Sequence, residues 1–83
     1  MEQIARTPKQ IGDALRRRRR LLGINQTSLA QKTKLRQATI SSVEGGEAGT
    51  QLRTLLDMMS ALDLEFVIRP RTKASPSDIE EIF

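Results

Sequence analysis

Five consecutive arginines, Arg16 to Arg20, are the densest concentration of charge in the sequence. A row of this kind reads as a nucleic-acid patch. Yet five successive helical residues point all round a helix and cannot face one phosphate strand together. The wider charge pattern has the same sign. All 14 basic groups fall in residues 1–73 against 7 of the 10 acids, a balance of +7 within a net charge of +4. The other three acids, Asp78, Glu80 and Glu81, lie in the last ten residues. A basic body with an acidic tail fits a polyanion partner, and it fits ordinary solubility charge equally well. Catalytic chemistry has little to work with. With no histidine, the commonest general base, the commonest zinc ligand and any catalytic triad are missing. With no cysteine, there is no disulfide framework and no thiolate metal site. An enzyme is the weakest reading, and neither a metal nor a cofactor is expected.

The elements that must position these side chains read as helices. Hydrophobic content is 37% with two Phe and no Trp or Tyr, which implies a Leu/Ile/Ala core better suited to helices than to a β-sandwich. A chain of 83 residues has room for one domain with a small core, to which a second subunit would add considerably. Thr7-Pro8 is a helix start, a hydroxyl cap followed by proline where its missing N–H costs nothing. Ile11, Leu15 and Leu22 then share a stripe, and Gly23 suits the C-terminal turn. Asn25 caps a second short helix through Leu29, Ala30 and about Lys32. After a turn at Thr33 to Leu35, a third helix runs from Gln37 to Glu44 with Ile40 and Val43 inward, and Gly45-Gly46 ends it. Thr50 is expected to cap a fourth, with Leu52, Leu55, Leu56, Met59 and Leu62 as core positions.

The pattern then changes period. Leu64-Glu65-Phe66-Val67-Ile68-Arg69 alternates, with Leu64, Phe66 and Ile68 on one face, and Pro70 stops it. A lone strand must find a partner, and no second strand is visible in this chain. The economical answer is the same strand of a second copy, giving a two-fold antiparallel ribbon through Leu64, Phe66, Val67 and Ile68. The alternative is a short extended segment lying over the helices. Ser75-Pro76 could cap a last short helix with Ile79, Ile82 and Phe83 on one face, either a docking peptide or a frayed end. The expected organisation is therefore an N-terminal arm over 1–6, a helical domain over 7–63, a dimerisation strand over 64–71 and a flexible acidic tail over 72–83. No apolar run approaches signal-peptide or membrane-spanning length, so a cytoplasmic protein without membrane contact is expected.

From Asn25 to Glu44 the spacing is that of two short helices joined by a tight turn. In such a unit the first helix crosses the DNA backbone and the second enters the major groove. Ala30 lets the pair approach closely, and Leu29, Leu35, Ile40 and Val43 hold their angle. The run LRRRRRLLGINQTSLAQKTKLRQATISSVEGG resembles the phage-repressor (Xre/Cro) helix-turn-helix family. It follows that family's pattern L-R-x-x-R-x-x-x-G-[LI]-x-Q-x-x-L-A and then I-S-x-x-E-x-G, and the resemblance covers residues 11–62. There are two departures. Lys34 stands where the family has glycine, so a side chain must accept a left-handed backbone at roughly 1–2 kcal/mol. Arg36 replaces the usual capping Ser or Asp.

The resemblance implies a mainly α, lambda-repressor-like fold of four to five helices with one C-terminal β-strand as an intersubunit ribbon. It implies roles as well. Gln37, Ala38 and Ser41 would face base edges, Gln bonding adenine N6 and N7 and Ala touching a thymine methyl, with Arg36 a further contact. Gln26, Thr39, Ser42, Arg16 and Lys34 would lie on phosphates. Arg19 and Glu44 would form a partly buried structural ion pair, while Arg17, Arg18 and Arg20 are left to solvent. The order of helix-turn-helix, LEFVIRP strand and short tail is most similar to HipB-type antitoxins, as is RQATIS. Such a protein represses its own operon at a pseudo-palindromic site as a homodimer and holds a HipA-like kinase toxin. A stand-alone phage- or restriction-control-type repressor, and an interaction module that merely retains the fold, are the alternatives.

Overall fold

Thr7 and Asn25 start the first two helices in the same way. The Thr7 hydroxyl accepts the Gln10 N–H at 3.1 Å and the Asn25 carbonyl oxygen accepts the Ser28 N–H at 2.8 Å. Each satisfies one of the donors a helix leaves free at its first turn. The computed structural model describes residues 2–72; the expected tail helix with Ile79, Ile82 and Phe83 lies outside them. Within that range are α1 (Pro8–Leu21), α2 (Gln26–Thr33), α3 (Gln37–Glu44) and α4 (Leu52–Ala61). Gln51, not Thr50, precedes α4 as its cap residue, and it makes no side-chain cap bond. The Thr50 hydroxyl turns back instead and donates to the Glu47 carbonyl at 3.0 Å.

Three helices end in one geometry. Gly23, Gly46 and Asp63 follow the caps of α1, α3 and α4 with φ of 73°, 93° and 57°. The next residue of each then returns its N–H to the helix: Ile24 to Arg19 at 3.3 Å, Glu47 to Ser42 at 3.1 Å, Leu64 to Met59 at 2.8 Å. This closure satisfies carbonyls that would otherwise be orphaned. Asp63 is the one case with a Cβ in the left-handed region. α2 ends at Lys34, φ 61°, where the Thr33 hydroxyl donates to the Leu29 carbonyl at 2.8 Å.

The core is small and lies between all four helices: Leu15, Leu29, Ala30, Ile40, Val43, Met58, Met59 and Leu62. Each fully buried aliphatic or Met side chain stabilises the fold by about 1.5–3 kcal/mol relative to exposure. The α4 stripe differs from the expected one. Met58 is fully buried, whereas Leu52 and Leu56 are 64% and 45% exposed. The inward face runs through Leu55, Met58, Met59 and Leu62, and positions 52 and 56 sit to its side, four apart. Leu22 is likewise exposed, past the end of the α1 stripe. Gly12 sets the approach of α1 to α3. A Cβ there would collide with the Val43 carbonyl oxygen and come within 2.7 Å of the Glu44 carbonyl oxygen.

Beyond α4 the described residues contain no strand. Leu64 packs on the core, while Phe66, Val67 and Ile68 are exposed, Ile68 almost completely. A strand requires a second backbone to bond to, and beyond Leu64 the side-chain bonds this segment makes among the described residues are to the N-terminal arm. Arg69 pairs with Glu2 at 3.2 Å, and the Arg6 guanidinium donates to the Thr72 carbonyl at 3.0 Å.

Candidate nucleic-acid interface

α2 and α3 pack together as the helix pair, with Leu29 and Ala30 buried on one and Ile40 and Val43 on the other. That burial turns the opposite side of α3 outward. Gln37, Ala38, Ser41 and Ser42 are exposed along it, with Lys34 and Arg36 exposed just before its start; Thr39 is half-buried. The structure thus brings the base-reading candidates and most of the phosphate candidates onto one face. Arg36 occupies the cap position of α3 without a side-chain cap bond, which leaves its guanidinium free of the helix end. A shallow groove runs beside this face, lined by Arg36, Ala38, Thr39 and Ser42 from the α3 side. Glu47, Thr50, Gln51 and Thr54 line its other side, from the loop and the start of α4.

One buried carboxylate holds α3 in place. Glu44 is 1% exposed and accepts two bonds from Arg19, Nε to Oε2 at 2.7 Å and Nη2 to Oε1 at 2.9 Å. The Arg19 Nη1 donates to the Ile24 carbonyl at 3.0 Å, so the same side chain also fixes the α1–α2 turn. Gln26 Nε2 donates to Glu44 Oε1 at 3.2 Å, and Arg16 Nε stands 3.7 Å from that oxygen. Burial pushes the Glu44 carboxyl up. The hydrogen bonds from Arg19 and Gln26, with the charges of Arg19 and Arg16, outweigh it and hold the carboxyl below its ordinary value. The bond to Glu44 correspondingly raises Arg19, against its own desolvation.

This network changes the setting of two phosphate candidates. The Gln26 amide nitrogen is directed inward, so what α2 offers a phosphate at that point is its first-turn backbone N–H. Arg16, with a side chain 42% exposed, stands between the buried carboxylate and the surface. Arg18 is not left to solvent: its Nε donates to the Leu62 carbonyl at 2.9 Å, and its Nη2 lies 4.0 Å from Asp63. Thr27 was not singled out by its sequence position. Its hydroxyl stands 3.4 Å from Gln37 Oε1, a long bond that links α2 to the first side chain of α3. The signal available for Gly12 was a lone glycine within a helical pattern, between Ile11 and Leu15. Among the described residues no helix is long and apolar enough to cross a membrane, and no acidic cluster could hold a metal.

Known proteins share this fold. The helix-turn-helix family model HTH_3 matches residues 15–68. Antitoxin HipB of Escherichia coli strain K12 is 32% identical over 75 residues, which cover 90% of this chain and 85% of that protein. A solved HipB-O4 20mer complex contains a chain 30% identical, with a TM-score of 0.80, matching 86% of this chain and 100% of that one. A HipA-HipB-O2-O3 complex gives the same identity, score and coverage. Over nearly its whole length, then, this chain belongs to the helix-turn-helix family of HipB-type antitoxins.

Proposed function

We propose that the protein is a DNA-binding repressor and antitoxin that autoregulates its own operon and binds a HipA-like kinase toxin. The observation that carries this reading is the outward face of α3, with Gln37, Ala38 and Ser41 exposed on a helix locked from behind by Glu44. The likeness to chains found in HipB complexes, one of them also containing HipA, supports it. Gln37, Ala38 and Ser41 read base edges, with Arg36 beside them, and Thr39, Ser42, Lys34, Arg16 and the N-terminus of α2 at Gln26 position the backbone. Arg19 and Glu44 are structural. The protein acts as a homodimer on a pseudo-palindrome with half-site centres about one helical turn, or a multiple, apart. Its two copies join through residues 64–71, with Phe66, Val67 and Ile68 against each other and Leu64 anchoring the ribbon to each core. Residues 1–6 form the arm and 7–63 the DNA-binding domain. The segment from 72 onward, with Ile79, Ile82 and Phe83, docks on the toxin.

Nuclease footprinting on the DNA upstream of its own gene, with co-purification of the neighbouring gene product, tests the proposal. A two-fold footprint and a kinase-like partner are expected. No footprint would overturn the repressor role. A footprint without any partner would leave a stand-alone repressor. Deleting 74–83 is expected to weaken toxin capture, and undiminished capture removes the tail from this account.

A further inference from the structure

The geometry points to Arg18 as the residue that fixes the direction in which the chain leaves the DNA-binding domain for the dimer ribbon, and so the separation of the two recognition helices. The inference rests on the ribbon dimer proposed above. Leu62 is the last residue of the domain's core, and its carbonyl receives Arg18 Nε at 2.9 Å across 44 residues of sequence. The next residue, Asp63, sits at φ 57° with its carboxylate 4.0 Å from the same guanidinium. Leu64 is then held by its N–H on the Met59 carbonyl at 2.8 Å, and from Glu65 onward every described residue is exposed. The joint is therefore held from two sides, by the α1 side chain of Arg18 on the Leu62 carbonyl and by α4 and the core at Leu64, and nothing in the core holds the chain after it. A ribbon strand of residues 64–69 is about 20 Å long. A swing of about 10° at the joint moves its far end by about 3.5 Å, close to one base-pair step. A side chain that holds this angle is a positioning residue for operator spacing, although it touches no DNA.

The native chain has no cysteine, so Asp57→Cys on exposed α4 gives a single spin-label site per copy. Double electron–electron resonance on the labelled dimer is expected to give one narrow inter-copy distance. Arg18→Met keeps the aliphatic stem but loses the donor, and is expected to broaden that distribution at least twofold. On the chain's own operator, remade with its centre one base pair longer or shorter, the parent protein is expected to prefer the native spacing at least tenfold. Arg18→Met is expected to narrow that preference to within threefold. Unchanged width and unchanged spacing preference in a folded Arg18→Met dimer overturn the assignment. Should Arg18→Met fail to fold, Arg18→Gln decides. Glutamine keeps a polar side chain at this position, but its shorter stem withdraws the donor from the Leu62 carbonyl. It is expected to widen the distribution by at least half, and an unaltered distribution refutes the inference. A parent protein with no inter-copy distance refutes the ribbon dimer itself.

Discussion

Replacing Glu44 with glutamine is expected to cost about 3 kcal/mol or more at neutral pH. The substitution keeps shape and volume, so no cavity contributes. What it removes is the charge that compensates Arg19, itself only 8% exposed. The carboxylate takes two charge-assisted bonds from Arg19, at 2.7 and 2.9 Å, and one from Gln26 at 3.2 Å. Bonds to charged groups contribute about 1.5–3 kcal/mol each, and breaking one partner of a buried pair costs about 3–5 kcal/mol. Glutamine's own NH2 would also face donors on Arg19 or Gln26. A domain of this length has a total stability of about 4–12 kcal/mol, so the loss is a large fraction of it. Urea unfolding followed by circular dichroism, at one fixed protein concentration, reads the change. With a slope of about 1 kcal/mol/M the midpoint falls by about 3 M. The pH dependence has a definite sign. The Glu44 carboxyl is held below its ordinary 4.5 in the folded protein, so the unfolded chain takes up the proton first on acidification. The stabilisation is complete above about pH 4.5 and is lost as pH falls through the lower folded value. The gap between parent and Glu44→Gln therefore closes in acid. Combining Glu44→Gln with Arg19→Met should cost well under the sum of the two single changes. A Glu44→Gln cost below about 1 kcal/mol, or strict additivity with Arg19→Met, would refute the account.

Gln37→Ala is expected to weaken operator binding by about 1–3 kcal/mol and leave nonspecific binding nearly intact, and equal losses on both DNAs in a mobility-shift titration would sink its base-reading role. Gly12→Ala should destabilise the fold by about 2 kcal/mol or more, because the added methyl meets the backbone carbonyls of Val43 and Glu44 and no flexible side chain can move aside; calorimetry checks this. Lys34→Gly should raise stability by about 1 kcal/mol by relieving the left-handed lysine at φ 61°. The same change should lower the salt slope of DNA binding by about 1, and an unchanged slope would take Lys34 off the phosphate backbone.

How far the sequence reaches is visible at individual residues. Thr7, Pro8, Gly23 and Asn25 act through local chemistry, a cap or a positive φ, and such signals survive without knowledge of the tertiary fold. Thr50 has the right chemistry for a cap, but α4 begins one residue later, with Gln51 in the cap position, and the Thr50 hydroxyl donates back to the Glu47 carbonyl. In α4 the leucines outnumber the methionines, and a stripe drawn through them misses Met58, because its inward face is set by what α1, α2 and α3 leave open. Arg18 is illegible from sequence for the same reason. Its partner carbonyl lies 44 residues away, and no pattern within α1 distinguishes it from Arg17 or Arg20. Gln26 is expected on phosphate and Thr27 has no expected part. The amide of Gln26 belongs to the Glu44 network, and the hydroxyl nearest Gln37 is that of Thr27. The strand expected at 64–69 marks a different limit: the described residues contain none, and pairing between two copies cannot be read from a single chain.

The arginine run divides between two kinds of electrostatics, and the division bears on how the protein lets go of DNA. Arg18 and Arg19 are bound within the fold and Arg16 stands beside its buried carboxylate, while Arg17 and Arg20 are exposed. At physiological ionic strength screening acts over about 8 Å, so it weakens the proposed phosphate contacts of the exposed Lys34 and the part-exposed Arg16 and barely touches the desolvated Arg19–Glu44 pair in direct contact. Rising salt therefore dissociates the complex by counterion release and leaves the scaffold intact. Release and unfolding are thus expected as separate events, and a molecule shed from one operator would be ready to occupy the next.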